Sequence, residues 1–189
     1  LQAELHHVVD ALAERGAARV GGRDEVLKAD AAQIGKKAVV QIALAGEQVE
    51  RLKLEAKLTP EQAAAVDIPA LKRFLASPLA EELRNAGVVE REYRFTVLMD
   101  AKDYDPAALG EDAILLQGVV DCWFETPDGI AVVDFKTDHV RTDEEVAQHA
   151  ELYRGQLAAY SLALSRVLGK PVVRKALYFL QVGKTVEMA

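Results

Sequence analysis

The chain has one cysteine, Cys122, among 189 residues. A single thiol excludes a disulfide framework, a four-cysteine zinc site and an iron–sulfur cluster, and it fits a reducing compartment such as the cytoplasm. No apolar run approaches the length that spans a bilayer, so no membrane association is expected. Positive charge is also short: 23 Lys and Arg stand against 30 Asp and Glu, for a net charge of −7. That balance argues against a protein that grips nucleic acid by bulk electrostatics. Any DNA contact is then local, or comes from a partner or a further domain. Leu1 is not an initiator Met, and Leu1 to Gly16 reads as an amphipathic helix rather than a signal peptide. The chain reads as a fragment of something longer. No internal repeat or low-complexity segment interrupts it.

Half of the residues are hydrophobic, enough for a globular domain with a real core. Residues 1–87 are mainly helical in pattern. Leu5, Val8, Val9 and Leu12 fall at helical spacing, Thr59-Pro60-Glu61-Gln62 is a helix start, Ile68 to Leu75 is a short helix, Ser77-Pro78 a break, and Gly87 a stop. From Val88 the period becomes strand-like, with Tyr93, Phe95, Val97 and Met99 in alternation. Residues 101–112 read as a polar loop. Ala113–Glu125 and Ile130–Lys136 are strands. Thr142 opens a helix running, with a possible break, to Leu168, and Val172–Met188 is a last strand or hairpin. Helices, three strands, a helix and a strand predict an α/β sandwich around a mixed sheet.

The densest chemistry lies in the hairpin. Gly118-Val119-Val120-Asp121 and Val133-Asp134-Phe135-Lys136 flank the turn Thr126-Pro127-Asp128-Gly129. Carboxylates within apolar strands are costly unless something pairs with them. Strict alternation puts Leu115, Gln117, Val119, Asp121 and Trp123 on one face. A two-residue loop at Pro127-Asp128 sets Asp121 opposite Asp134 and Val119 opposite Lys136; a three-residue loop with a bulge at Gly129 moves Asp134 to the other face. Two carboxylates one cross-strand spacing apart repel unless a cation sits between them, and oxygen ligands suit Mg²⁺ or Mn²⁺. Lys136 then serves to orient water or to stabilise developing negative charge. Alone, the hairpin leaves open a metal site and ordinary solvent-facing charge.

The run Gln117 to Asp121 followed by Val133-Asp134-Phe135-Lys136-Thr137-Asp138 resembles the PD-(D/E)xK nuclease superfamily, most closely the C-terminal nuclease domain of AddA/RecB-type bacterial helicase–nucleases. Tyr153 to Tyr160 is similar to that branch's Gln-x-x-x-Tyr helix motif. Phe74 to Leu79 and Arg91 to Phe95 are similar to the approach to its first core strand, and Leu5-His6-His7-Val8-Val9 to its N-terminal histidine helix. Gln2-Ala3 departs from the family's Gly-Thr, and His7 is an alternative to His6.

The resemblance implies a restriction-endonuclease-like core at 88–189 with a helical extension at 1–87, together one nuclease domain. It implies Asp121, Asp134, His6 and the Phe135 carbonyl as metal ligands, Lys136 as the catalytic lysine, and Gln156 and Tyr160 closing over the site from one helical face. The expected activity is Mg²⁺-dependent exonucleolytic cleavage of DNA in double-strand break processing. The expected partners are upstream helicase domains of the same polypeptide and an AddB-like subunit. The alternatives are a catalytically silent nuclease-fold scaffold or DNA-binding module, and a stand-alone or phage-type exonuclease. Gly183-Lys184-Thr185 imitates the end of a P-loop, but position 178 is Tyr and no helix can follow, so no ATP site is expected in this fragment.

Overall fold

The computed structural model describes residues 45–108 and 111–189, so His6 and His7 lie outside the described residues. The chain divides into two compact units, Leu1–Glu81 and Glu82–Ala189.

In the described part of the first unit, residues 45–54 are helical. Helix α1 (Pro60–Ala65) and helix α2 (Ile68–Leu75) follow, and α3 (Pro78–Asn85) crosses into the second unit. The caps explain these starts. Thr59 Oγ1 accepts from Gln62 N at 3.2 Å while Gln62 Oε1 accepts from Thr59 N at 2.8 Å. Asp67 Oδ1 accepts from Ala70 N at 2.8 Å. Each such cap stabilises its helix by about 1 kcal/mol. Along α2, Leu71, Phe74 and Leu75 are buried at helical spacing.

The second unit carries a five-stranded sheet in the order β1-β2-β3-β4-β5: β1 (Val89–Asp100), β2 (Ala113–Thr126), β3 (Gly129–Lys136), β4 (Val172–Phe179) and β5 (Lys184–Glu187). Neighbours are antiparallel except β3 and β4, which are parallel. A parallel pair needs a long crossover. Here it is supplied by α5 (Asp143–Leu152) and α6 (Arg154–Leu168), which divide at Tyr153. This is a mixed sheet flanked by helices. The central strand β3 is buried from Ile130 to Lys136, so both of its faces are covered, with Asp134 and Lys136 as the charged positions in an otherwise apolar run. Val120, Trp123, Ile130, Val132, Leu157, Leu164, Leu177 and Phe179 form one core cluster that joins sheet and helices. Among the described residues no helix is long and apolar enough to cross a membrane.

Two expectations change. The polar connection after β1 contains a one-turn helix, α4 (Ala101–Tyr104), because Ala101 N donates to Asp112 O and Asp105 N to Ala101 O, both at 2.8 Å. Of the two alternatives for Val172–Met188, the hairpin is the one that forms: Gly183-Lys184-Thr185 leads into β5, with Phe179 opposite Lys184. Strict alternation along β2 also fails. Leu115 and Val119 are exposed, whereas Val120 and Trp123 both join the core cluster. The alternation holds from Ala113 to Val120 and is lost where Cys122, Trp123 and Phe124 are all buried, because both faces of that end of the strand are covered.

Two glycines are required where they stand. Gly129 has φ 153°, and a Cβ there would run into the Pro171 carbonyl oxygen. At Gly118 a Cβ would lie 2.8 Å from Cζ of Phe95, whose ring also packs edge-on against Tyr160 with centroids 6.0 Å apart. Gly118→Ala should therefore lower stability by about 1–3 kcal/mol. Urea unfolding should show a lower midpoint, and Phe95→Leu, which shortens the opposing ring, should recover part of the loss in the double variant.

Candidate active site

The β2–β3 connection is the two-residue loop. Thr126 pairs with Gly129, and the register runs through Trp123–Val132 to Cys122–Val133. One step further the same register brings Asp121 to Asp134, but the ladder has ended. In place of a backbone pair, the Asp121 carboxylate accepts the Phe135 N–H at 2.9 Å. The predicted facing of Val119 and Lys136 does not form. Val119 pairs with Arg94 on β1 and is exposed, while Lys136 pairs with Phe179 on β4 and is buried. The strands part at Asp121, and the space between them is where the charges collect.

Among the described residues the buried polar side chains are Gln48, Asp134 and Lys136. The last two form an ion pair, Lys136 Nζ lying 2.5 Å from Asp134 Oδ2. A lone buried charge costs several kcal/mol, so each member of such a pair requires the other. Lys136 has two more contacts. Its Nζ donates to Gln156 Oε1 at 2.9 Å and lies 3.5 Å from the centroid of the Tyr153 ring. Gln156 in turn donates from Nε2 to the Tyr160 hydroxyl at 2.7 Å. Gln156 and Tyr160 are one turn apart on α6 and face the sheet together, as their spacing predicts.

Burial first, and the neighbouring Asp121 charge second, push the Asp134 carboxyl up to about 6, against the opposing pull of Lys136. Two carboxylates and one lysine thus carry an excess of negative charge in a place that water cannot screen. A divalent cation relieves that excess. The donors are hard oxygens, which fit Mg²⁺ or Mn²⁺, with Asp121 and Asp134 as the carboxylates to hold it. Among the described residues no group of three or more His, Cys, Asp or Glu could hold a metal ion.

The structure thus brings together Asp121, Asp134, Phe135, Lys136, Gln156 and Tyr160. It also adds Tyr153, Asp138 and His149, which the sequence pattern did not single out. Asp138 accepts from the Tyr153 hydroxyl at 2.9 and 3.1 Å and lies 2.9 Å from His149 Nδ1. The signal was present in part. Asp138 follows Lys136 by two residues, and His149 and Tyr153 are four apart, but nothing in that spacing says that the Tyr153 ring lies against Lys136.

A model of the PD-(D/E)XK nuclease superfamily matches residues 4–188. This chain belongs to that superfamily. Its curated relatives include an ATP-dependent helicase/nuclease subunit of Acetivibrio thermocellus, 38% identical over 141 residues, which cover 72% of this chain and 11% of the relative. The protein of the same name from Heliobacterium modesticaldum is 37% identical over 156 residues, covering 80% and 11%. That from Bacillus cytotoxicus is 37% identical over 141 residues, covering 70% and 11%. The chain therefore spans about 11% of the length of the curated relatives it matches. A nuclease superfamily assignment gives the crowded carboxylates a chemical purpose that packing alone does not.

The raised Asp134 carboxyl has a consequence for stability without metal. In the unfolded chain this group loses its proton near 3.8, in the folded chain near 6. Between those values the folded state holds more protons, so this group's contribution falls as pH rises. Removing the lysine takes away the cation that offsets the ionised Asp134 carboxylate above that range. In EDTA, the stability lost on Lys136→Ala should be larger at pH 8 than at pH 5, as read from paired urea titrations.

Proposed function

We propose that this chain is a metal-dependent deoxyribonuclease domain that hydrolyses DNA phosphodiester bonds with Mg²⁺, or Mn²⁺ in its place. The observation that carries the reading is the meeting of Asp121, Asp134 and Lys136 where β2 and β3 part, within a chain of the nuclease superfamily. Asp121 and Asp134, with the Phe135 carbonyl and His6, are the groups to hold the metal. When bound, the metal supplies a water of lowered pKa and a counter-charge for a phosphoryl oxygen.

The chain's own residues do the rest. Lys136 presents its ammonium group to the charge that grows on the phosphoryl oxygens as the water oxygen bonds to phosphorus and the ester P–O bond breaks. Gln156 fixes that ammonium group, and Tyr160 fixes Gln156. Burial around Asp134 keeps bulk water from screening these interactions.

The relatives' name supports a wider setting. This chain would trim strands during double-strand break processing, as an exonuclease joined to ATP-driven helicase domains of the same polypeptide and to a second, AddB-like subunit. That division of labour accounts for the net charge of −7: the remainder of the assembly would supply the grip on DNA.

With single-stranded DNA and Mg²⁺, Lys136→Ala and Asp134→Asn should each lower the cleavage rate by about 10²–10³-fold, the scale of losing one preorganised electrostatic partner. EDTA should abolish cleavage by the wild type, and Mg²⁺ should restore it. Cleavage that survives both Lys136→Ala and EDTA would sink this reading. A protein that binds DNA and never cleaves it would instead be a silent scaffold.

A further inference from the structure

The geometry points to the ring of Tyr153 as the group that positions the Lys136 ammonium group, with the hydroxyl's bond to Asp138 a secondary restraint on that ring. This inference rests on the nuclease reading above and goes beyond the residues that carry it.

Lys136 Nζ is held from three sides, by Asp134, by Gln156 and by the face of Tyr153. The two oxygen partners fix its distance from the carboxylate. The ring, 3.5 Å from Nζ at its centroid, closes another side and attracts a cation through its quadrupole. Tyr153 stands at an unusual place: it ends α5 and begins α6, with φ −97° and ψ 0°. The helix break therefore sets where the ring lies. Three residues on, in the first turn of α6, Gln156 reaches the same nitrogen.

The ring is itself fixed from behind. Its hydroxyl donates to both oxygens of Asp138, and Asp138 also meets His149 Nδ1, one turn before Tyr153 on α5. Burial first, and the bond to Asp138 second, push the Tyr153 phenol up to about 12, so it remains a donor. Burial raises the Asp138 carboxyl, but the hydrogen bonds from His149 and Tyr153 outweigh it and leave the group lowered, so it remains an acceptor. Asp138 lies in the segment that follows β3, and Tyr153 lies at the helix junction. Their bond ties the end of the lysine's own strand to the element that carries the ring.

The two functions of Tyr153 are separable. Tyr153→Phe keeps the ring and loses the tie to Asp138. Tyr153→Leu loses both. In NMR of lysine-labelled protein, the Lys136 ε-methylene protons should be shifted upfield by the ring in the wild type. The shift should be lost in Tyr153→Leu and kept in Tyr153→Phe. In cleavage assays with Mg²⁺, Tyr153→Leu should lower kcat by about 10–100-fold with KM unchanged, the scale expected when a reacting group is misplaced by about 1 Å. Tyr153→Phe should lose less than about 3-fold, because the ring that Lys136 rests on remains.

An unshifted Lys136 resonance in the wild type would overturn the inference, as would wild-type kcat in Tyr153→Leu. Equal losses in the Phe and Leu variants would overturn it too, by showing that the hydroxyl and not the ring is what counts. Full activity in Lys136→Ala would instead remove the nuclease mechanism itself, while the resonance would still report whether the ring holds the lysine.

Discussion

The pair formed by Asp134 and Lys136 is the constraint on which the rest of the second unit depends. Both lie at the end of the most buried strand of the sheet, 1% and 7% exposed. Each is tolerable there only because the other is present. The pair alone is neutral, but Asp121 adds a second carboxylate beside it. The surroundings answer that excess in separate ways. Asp121 is occupied by the Phe135 N–H, and Lys136 is held by Gln156 and by Tyr153. The result is a site where carboxylates outnumber the lysine, a condition that a bound cation would relieve.

The sheet supplies this condition by ending one of its ladders early. Antiparallel pairing from Thr126–Gly129 to Cys122–Val133 aligns the strands, and then the pairing stops. Had it continued, backbone bonds would have taken the Phe135 N–H that Asp121 now holds. Glu92 on the neighbouring strand, with its left-handed φ of 48°, falls across from Asp121 in the register. On the other side of the sheet's central strand, β4 runs parallel to β3, and the crossover that parallel pairing demands brings α6 back over the site. Gln156 and Tyr160 are therefore where they are because β3 and β4 are parallel. Gly118 serves the same contact from below: its missing side chain leaves room for the Phe95 ring, which packs against Tyr160.

The legible features were local ones. The turn Thr126-Pro127-Asp128-Gly129 limited the hairpin to two loop lengths, and the chain adopts the two-residue one. Thr59, Asp67 and Thr142 mark helix starts through side-chain hydrogen bonds that reach only three residues. Gln156 and Tyr160 share a face because a helix has a fixed pitch. The break at Tyr153, the left-handed φ at Glu92 and the early end of the β2–β3 ladder had no such signature. Each reflects a balance between backbone regularity and contacts with residues far away in the chain.

The sequence by itself determined which residues could serve: two carboxylates and a lysine on adjacent strands, a Gln and a Tyr one helical turn apart, and a charge balance that leaves little grip on DNA. Those are properties of composition and of short-range periodicity, which the chain carries before it folds. Only the tertiary structure decided that Asp134 and Lys136 would be buried, that Asp121 would take a backbone N–H in place of a strand partner, and that the Tyr153 ring would lie against the lysine. Burial and cross-strand charge depend on what packs against a residue, and here the packing is set by a parallel crossover that no local pattern encodes.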